Sequence, residues 1–319
     1  MTDNKTLITG IHGFVGRHLS IHLLNNNYKI AGLSRGITPE ENKIWNDSEL
    51  KKIPILTSDL SSPSQIASLD SFENYRYVFH LAGTAFVPDG WKDPAGVLKS
   101  NTINTINLLT ALKEKGFKGR FIYVSSSDVY GHVLNNNTGL SEDDCCHPNN
   151  PYAASKYSSE LFAGYFIHSG FEIIIARPFN HIGPGQKKDF VVPSFLHRIL
   201  EAKQNSITSI EVGDIESRRD FSDVRDVASA YQRIAENGKS GEIYNICSGK
   251  PTSIKNILDI SMRTAGINLS FNVNPDLLRP EGPSTRFGNA SKLKSLGWEQ
   301  KFTLEDSIRD IYNFITDNG

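Results

Sequence analysis

A doubly wound parallel α/β sheet carrying a smaller C-terminal α/β lobe is the architecture that this sequence predicts. Three observations carry that expectation. Short β-branched or aromatic runs alternate with longer helical patterns through the first half of the chain. A glycine-rich turn stands directly between the first such run and the first helical pattern. After Pro178 the rhythm breaks at Gly183-Pro184-Gly185, and strands and helices then return irregularly. Strand-helix alternation implies right-handed crossovers and a sheet covered on both faces.

The elements follow in order. Residues 6–10, 29–33, 53–57, 77–81, 120–125 and 172–176 read as strands, and residues 15–25, 97–115 and 152–169 as helices between them. A further helix is expected over 193–202. Residues 223–236 and 242–246 look able to return to the main domain. The expected division is therefore discontinuous. Residues 1–178, with returning segments near 223–246, form the main domain. Residues 179–222 and 247–319 form a lobe over the carboxyl edge of the sheet, where ligands of open α/β sheets bind.

Composition narrows the function classes. A net charge of −1, with 38% hydrophobic and 22% charged residues, describes an ordinary globular chain. It offers no broad positive field for nucleic acid or an anionic membrane, so any bound phosphate must be held by local groups. No apolar stretch approaches the roughly 20 residues that span a bilayer, and the N-terminal segment does not read as a secretory signal. The three cysteines include the adjacent pair Cys145-Cys146, which argues against a disulfide framework and suits a cytoplasmic protein. No Cys/His cluster has zinc spacing, so no metal is expected.

The glycine-rich turn is Gly10-Ile11-His12-Gly13-Phe14-Val15-Gly16. Gly10 permits a tight turn, Gly13 lets the backbone approach a pyrophosphate, and Gly16 lets the helix pack close to the sheet. The helix then presents free N–H groups and its positive dipole end to phosphates, with Phe14 and Val15 in its first turn. This is the Rossmann arrangement for a dinucleotide. The second strand ends Ser34-Arg35 with no acid for a ribose 2′-hydroxyl, and Arg35 can pair with a 2′-phosphate, so NADP(H) is the expected cofactor. Leu81-Ala82-Gly83 ends the fourth strand with residues small enough for the cofactor to lie close.

The spacing Gly-x-x-Gly-x-x-Gly is one residue longer than the common dinucleotide fingerprint and resembles the extended short-chain dehydrogenase/reductase family. That resemblance can be followed along essentially the whole chain. It implies that Asp59-Leu60, after the third strand, contacts the adenine, although Asp59 also fits turn chemistry before a helix start.

Tyr152 and Lys156 lie four apart at the start of a helix and so share a face. An ammonium beside a phenol is expected to lower the phenol pKa and make Tyr152 a proton donor or acceptor near neutrality. Lys156 can also reach the nicotinamide ribose. The segment Ser125-Ser126-Ser127-Asp128-Val129-Tyr130-Gly131 resembles the family's serine/threonine segment. The match makes Ser126 the hydroxyl that polarises the substrate oxygen, with Ser125 in support. Dehydratases of the family usually carry a glutamate where this chain has the shorter Asp128 beside Ser127. That departure favours carbonyl reduction.

The run Arg177-Pro178-Phe179-Asn180-His181-Ile182-Gly183-Pro184-Gly185-Gln186 is similar to that of 4-ketoreductases acting on nucleotide-linked 6-deoxy sugars. The resemblance implies that Asn180 meets a diphosphate, that Val191 and Ser127 line the substrate site, and that Arg219 and Arg279 supply forked donors to two phosphates. The expected activity is NADPH-dependent reduction of a 4-dehydro-6-deoxyhexose on a GDP, dTDP or CDP carrier. The alternatives are a 4,6-dehydratase or 4-epimerase of the same family, or a dinucleotide-sensing regulator, which would normally lack the tyrosine or the lysine. The family often dimerises through a four-helix bundle, which here would use helices 97–115 and 152–169.

Overall fold

The computed structural model describes residues 4–36, 49–70, 72–131, 138–278 and 283–318. The strands in chain order are β1 (Lys5–Thr9), β2 (Lys29–Ser34), β3 (Ile55–Thr57), β4 (Tyr77–His80), β5 (Arg120–Val124), β6 (Glu172–Pro178), β7 (Asn180–Ile182), β8 (Ser209–Val212), β9 (Arg218–Asp223), β10 (Ile243–Ile246), β11 (Pro251–Ser253), β12 (Ser270–Val273) and β13 (Thr285–Arg286). Seven of them form one sheet in the order β10-β6-β5-β4-β1-β2-β3, and every neighbouring pair is parallel. The strand order reverses direction between β1 and β4, so the crevice of a doubly wound sheet opens beyond Thr9 and His80.

The main helices are α1 (Phe14–Asn25), α2 (Asn104–Glu114), α3 (Pro151–His168), α4 (Val191–Gln204), α5 (Val224–Asn237), α6 (Ile254–Ala265) and α7 (Leu304–Asn318). Alternation along each strand sends successive side chains to opposite faces. Ile8, Phe79 and Ile122 therefore pack with Leu19 and Leu23 of α1 and with Val227, Tyr231 and Ile234 of α5. Leu7, Val78 and Phe121 face the other way, onto Leu108 and Leu112 of α2 and Ala163 and Phe166 of α3. Each fully buried Leu, Ile, Val or Phe side chain among them contributes about 1.5–3 kcal/mol. A third cluster joins Val192, Leu196 and Ile199 of α4 to Ile257 and Leu258 of α6 and Ile308 and Ile311 of α7. Ala290, Leu293 and Trp298 pack into the cluster of α1 and α5.

One expected element is divided. The single helix anticipated over 97–115 is a short helix Pro94–Leu98, a π-helical turn Lys99–Ile103 and then α2. Asn101 in this wider turn is buried, and its side chain bonds Thr84 and Ser155. Such turns are frequent at functional sites.

Candidate active site

The glycine turn is built by contact distances. Gly10 sits at φ +70°, and a Cβ there would come within 2.8 Å of the Ala82 backbone nitrogen at the end of β4. A Cβ on Gly16 would lie 2.4 Å from the Gly10 carbonyl oxygen, so only glycine allows α1 to start this close to β1. Gly13 is the residue before the first turn of α1, which has no side-chain cap and no acidic residue. Its orphan N–H groups and dipole end suit an anionic pyrophosphate.

At the end of β2, Arg35 is exposed and Ser34 half-buried. The Ser34 hydroxyl donates to the Gly36 carbonyl at 2.7 Å. His12 places Nδ1 3.0 Å from the Ser34 hydroxyl and 3.1 Å from the Gly36 carbonyl, tying the glycine turn to this corner. Asp59 accepts the Ser61 backbone N–H at 2.8 Å. That bond, with a smaller contribution from Arg35, holds its carboxyl below the usual range. The turn chemistry expected of Asp59 is therefore present, and it sets Asp59 near Arg35. Leu60 is buried, and its carbonyl accepts from Asn107 at 2.9 Å. Leu81, Ala82 and Gly83 continue from β4 into the crevice.

Helix α3 begins with Asn150 accepting the Ala153 N–H at 2.9 Å and with Pro151 in its first turn. This cap and the fixed proline φ define where Tyr152 stands. Tyr152 and Lys156 are both buried, and Lys156 Nζ donates to the Val124 carbonyl at 2.9 Å. Ser126, two residues beyond β5, accepts the Asp128 N–H at 3.1 Å and lies close enough to the Tyr152 phenol to affect its titration. Ser127 is buried beside it, and the Ser125 hydroxyl has no partner among the described residues.

The electrostatics correct one expectation. The Tyr152 phenol is pushed up, not down: burial is the largest cause, Asp128 adds to it, and Ser126 and Arg286 oppose it. Burial also lowers the Lys156 ammonium to about 8, against a smaller opposing pull from Glu160. With Lys156 turned to the Val124 carbonyl, withdrawal from water outweighs its help to a phenolate. Tyr152 is therefore a protonated phenol at neutral pH, suited to giving a proton.

Asp128 is not a free acid. Its carboxylate is held by the Arg286 guanidinium from β13, with side chains 16% and 20% exposed respectively. The expected substrate residues lie on the lobe side. Asn180 and Val191 are half-buried at the starts of β7 and α4. Arg219 on β9 donates to the Ser284 carbonyl at 2.6 Å and to the Ser284 hydroxyl at 3.0 Å. Arg279 lies outside the described residues.

Three contributors were not read from the sequence. Arg286 had no motif to mark it. Asn101 donates to the Ser155 hydroxyl at 2.8 Å and accepts the Thr84 N–H at 2.8 Å, clamping α3 to the loop after β4. His80 sits in a buried chain in which Ala82 N–H donates to the Thr9 hydroxyl. The Thr105 hydroxyl donates to the Asn101 carbonyl at 2.5 Å, so it accepts from His80 Nε2–H at 2.9 Å. His80 Nδ1 then accepts from the Thr9 hydroxyl at 2.7 Å. Burial lowers this imidazole to about 3 and keeps it neutral. Sequence alone gave no sign of Asn101, because its role depends on the π-helical turn.

The chain is similar to known proteins along nearly its whole length. The sequence profile of the GDP-mannose 4,6 dehydratase family matches residues 7–311. GDP-6-deoxy-D-mannose reductase of Pseudomonas aeruginosa is 38% identical over 96% of this chain and 95% of its own length. The solved structure of RMD from Pseudomonas aeruginosa complexed with NADPH superposes with a TM-score of 0.83 at 36% identity, covering 98% of each chain. UDP-N-acetylglucosamine 4-epimerase from Methanobrevibacter ruminantium, in complex with UDP-N-acetylmuramic acid, superposes at 0.85 with 27% identity over 100% of each chain. With a matched profile spanning nearly all of the chain and a relative this similar end to end, the chain belongs to the GDP-mannose 4,6 dehydratase family.

Proposed function

We propose that this protein is an NADPH-dependent reductase of the 4-keto group of a nucleotide-diphosphate 4-dehydro-6-deoxyhexose, with GDP-4-dehydro-6-deoxy-D-mannose as the first candidate. One observation carries the choice within the family: Asp128, the acid that acts on Tyr152 among the described residues, is bound by Arg286, while Tyr152 keeps its proton. Loss of water from a hexose needs an acid and a base beyond the tyrosine. Carbonyl reduction needs only a hydride and one proton. The similarity to GDP-6-deoxy-D-mannose reductase points the same way.

NADPH, when bound, supplies the hydride. The uncapped start of α1 with Gly10, Gly13, Phe14, Val15 and Gly16 would hold the pyrophosphate, and Ser34 and Arg35 the 2′-phosphate. Asp59, Leu60, Leu81, Ala82 and Gly83 would flank the adenosine side, and Lys156 the nicotinamide ribose. Ser126 orients the substrate oxygen and Tyr152 gives it a proton. Asn180, Val191, Ser127, Arg219 and Arg279 are the proposed substrate contacts. This assignment implies the division into a cofactor domain (1–178 with 223–246) and a substrate lobe (179–222 and 247–319).

The test is an NADPH-oxidation assay across 4-keto-6-deoxy sugars on GDP, dTDP, CDP and UDP, with products identified by NMR. Stoichiometric NADPH consumption with a 4-hydroxy product supports the reading. Formation of a 4-keto product from GDP-mannose or dTDP-glucose without net NADPH consumption overturns it in favour of a dehydratase.

A homodimer is part of the proposal. Trp91, Leu98, Ile103, Leu161, Phe162 and Tyr165 are exposed large apolar residues on α3 and the segments packed along it, the helices the family uses for a four-helix bundle. Light scattering of the wild type and of Phe162→Glu distinguishes dimer from monomer. No described helix is long and apolar enough to cross a membrane, which is compatible with the cytoplasmic location proposed for a biosynthetic enzyme.

A further inference from the structure

Arg286 reaches the turn after Ser126 from 158 positions along the chain, and residues 284–289 around it are tied down at several points. The Ser284 carbonyl accepts both from the Arg218 backbone N–H at 2.9 Å and from Arg219 at 2.6 Å. The Ser284 N–H donates to the Ser217 hydroxyl at 3.0 Å. Further on, Leu140 bonds both Phe287 and Asn289 at 2.8 Å, and the Gly288 N–H donates to buried Asp220 at 3.2 Å. In the pairing of β13 with β9, Arg286 stands opposite Arg219. On the other side, Asp128 lies in the 3-10 turn Ser127–Tyr130, whose preceding residue is Ser126. The Asp128–Arg286 pair thus joins the turn that carries the catalytic serine to the strand beside the proposed diphosphate arginine.

We propose that Arg286 is a positioning residue that acts through Asp128, neutralising its carboxylate so that Tyr152 can release its proton during carbonyl reduction. In that step NADPH would give up a hydride and be left as NADP+. The sugar C4–H bond forms with that hydride as the carbonyl π electrons move to oxygen, and the Tyr152 O–H bond breaks as its proton passes to that oxygen. Tyr152 is left as a phenolate and is reprotonated from solvent. An unpaired carboxylate nearby opposes the phenolate. A guanidinium bound to that carboxylate removes the opposition without contacting cofactor or substrate. A half-buried carboxylate stripped of its partner keeps its charge in a poorly solvated place, so losing Arg286 alone is worse than losing both charges together.

This inference rests on the reductase reading, and a double-mutant cycle tests it with the 4-keto-6-deoxyhexose nucleotide that the wild type reduces. The variants are Arg286→Met, Asp128→Asn and the two combined, each checked for folding by circular dichroism and melting. Arg286→Met is expected to lower kcat by about 10- to 100-fold, the scale of a one- to two-unit shift in a neighbouring acid, with the Kd for NADPH unchanged. Asp128→Asn loses less. Adding Asp128→Asn to Arg286→Met is expected to restore kcat to the Asp128→Asn level. A double variant as slow as Arg286→Met, or a loss confined to substrate KM, overturns the proposal and makes Arg286 a substrate contact. If Arg286→Met misfolds, the cycle is run with Arg286→Gln. A wild type that oxidises NADPH with no 4-keto nucleotide fails the functional reading instead, before any variant is made.

Discussion

Arg177 on β6 grips Glu160 on α3 with two parallel bonds, Nε to Oε1 at 3.0 Å and Nη2 to Oε2 at 2.6 Å, and the side chains are 3% and 4% exposed. The guanidinium also lies over the Tyr130 ring at 4.8 Å. Glu160 stands one turn beyond Lys156 on the helix, so the pair locks the helix that carries Tyr152 and Lys156 to the sheet. Glu160→Ala should lower unfolding free energy by about 3–5 kcal/mol, because it strands a buried guanidinium. Urea denaturation measures this, and a loss below about 1 kcal/mol would show that the pair does not anchor the helix.

The same carboxylate supports the Lys156 charge, which gives a pH signature. Lys156 holds its proton only up to about 8, against an ordinary value near 10.5, because burial disfavours the ammonium more than Glu160 favours it. Between those values the unfolded chain binds the extra proton, so this group's contribution to stability rises with pH there, and its cost is complete below about 8. Activity follows the opposite course. The kcat/KM for NADPH, which reports the free enzyme, should fall on the alkaline side with an apparent pKa near 8. In Glu160→Gln the alkaline fall should move to lower pH. An unchanged profile in that variant would separate Glu160 from Lys156.

Tyr152→Phe removes the proposed proton donor and leaves the ring to pack. Turnover should drop by about 10²- to 10⁴-fold while NADPH affinity, measured by fluorescence titration, stays near that of the wild type. A variant with comparable turnover would remove Tyr152 from the chemistry.

For cofactor choice, Arg35→Ala should weaken NADPH binding by about 1–3 kcal/mol, the scale of a charge-assisted bond to phosphate. NADH binding should hardly change. Equal losses for both cofactors would show that Arg35 does not read the 2′-phosphate.

The parts legible in the sequence were those set by local pattern. Strand alternation placed β1 to β6 within two residues of their positions. Gly10 and Gly16 announced the turn because contacts of this closeness admit no side chain. The relation of Tyr152 to Lys156 follows from helical spacing alone. What the chain order hides is long-range. Arg286 meets Asp128 across 158 positions, and nothing near either residue marks the other. The π-helical turn that aims Asn101 answers to Ser155 and Thr84, again distant in sequence. The direction of the Tyr152 shift was misread for a related reason. Spacing shows that an ammonium lies on the same helix face, but it does not show that the ammonium is bonded to Val124 or how little water reaches the phenol.

The order β10-β6-β5-β4-β1-β2-β3 also has a consequence during synthesis. Strand β6 leaves the ribosome long before β10, its outer partner, which pairs Ile243 with Ile175 and Asn245 with Arg177. Until residues 243–246 emerge, the nascent sheet presents β6 as an open edge of apolar residues, the kind of edge on which chains aggregate. A fragment ending at Pro178 would carry that edge permanently. The cofactor half is therefore not a detachable piece of this protein, although nearly all of its recognisable motifs precede that point.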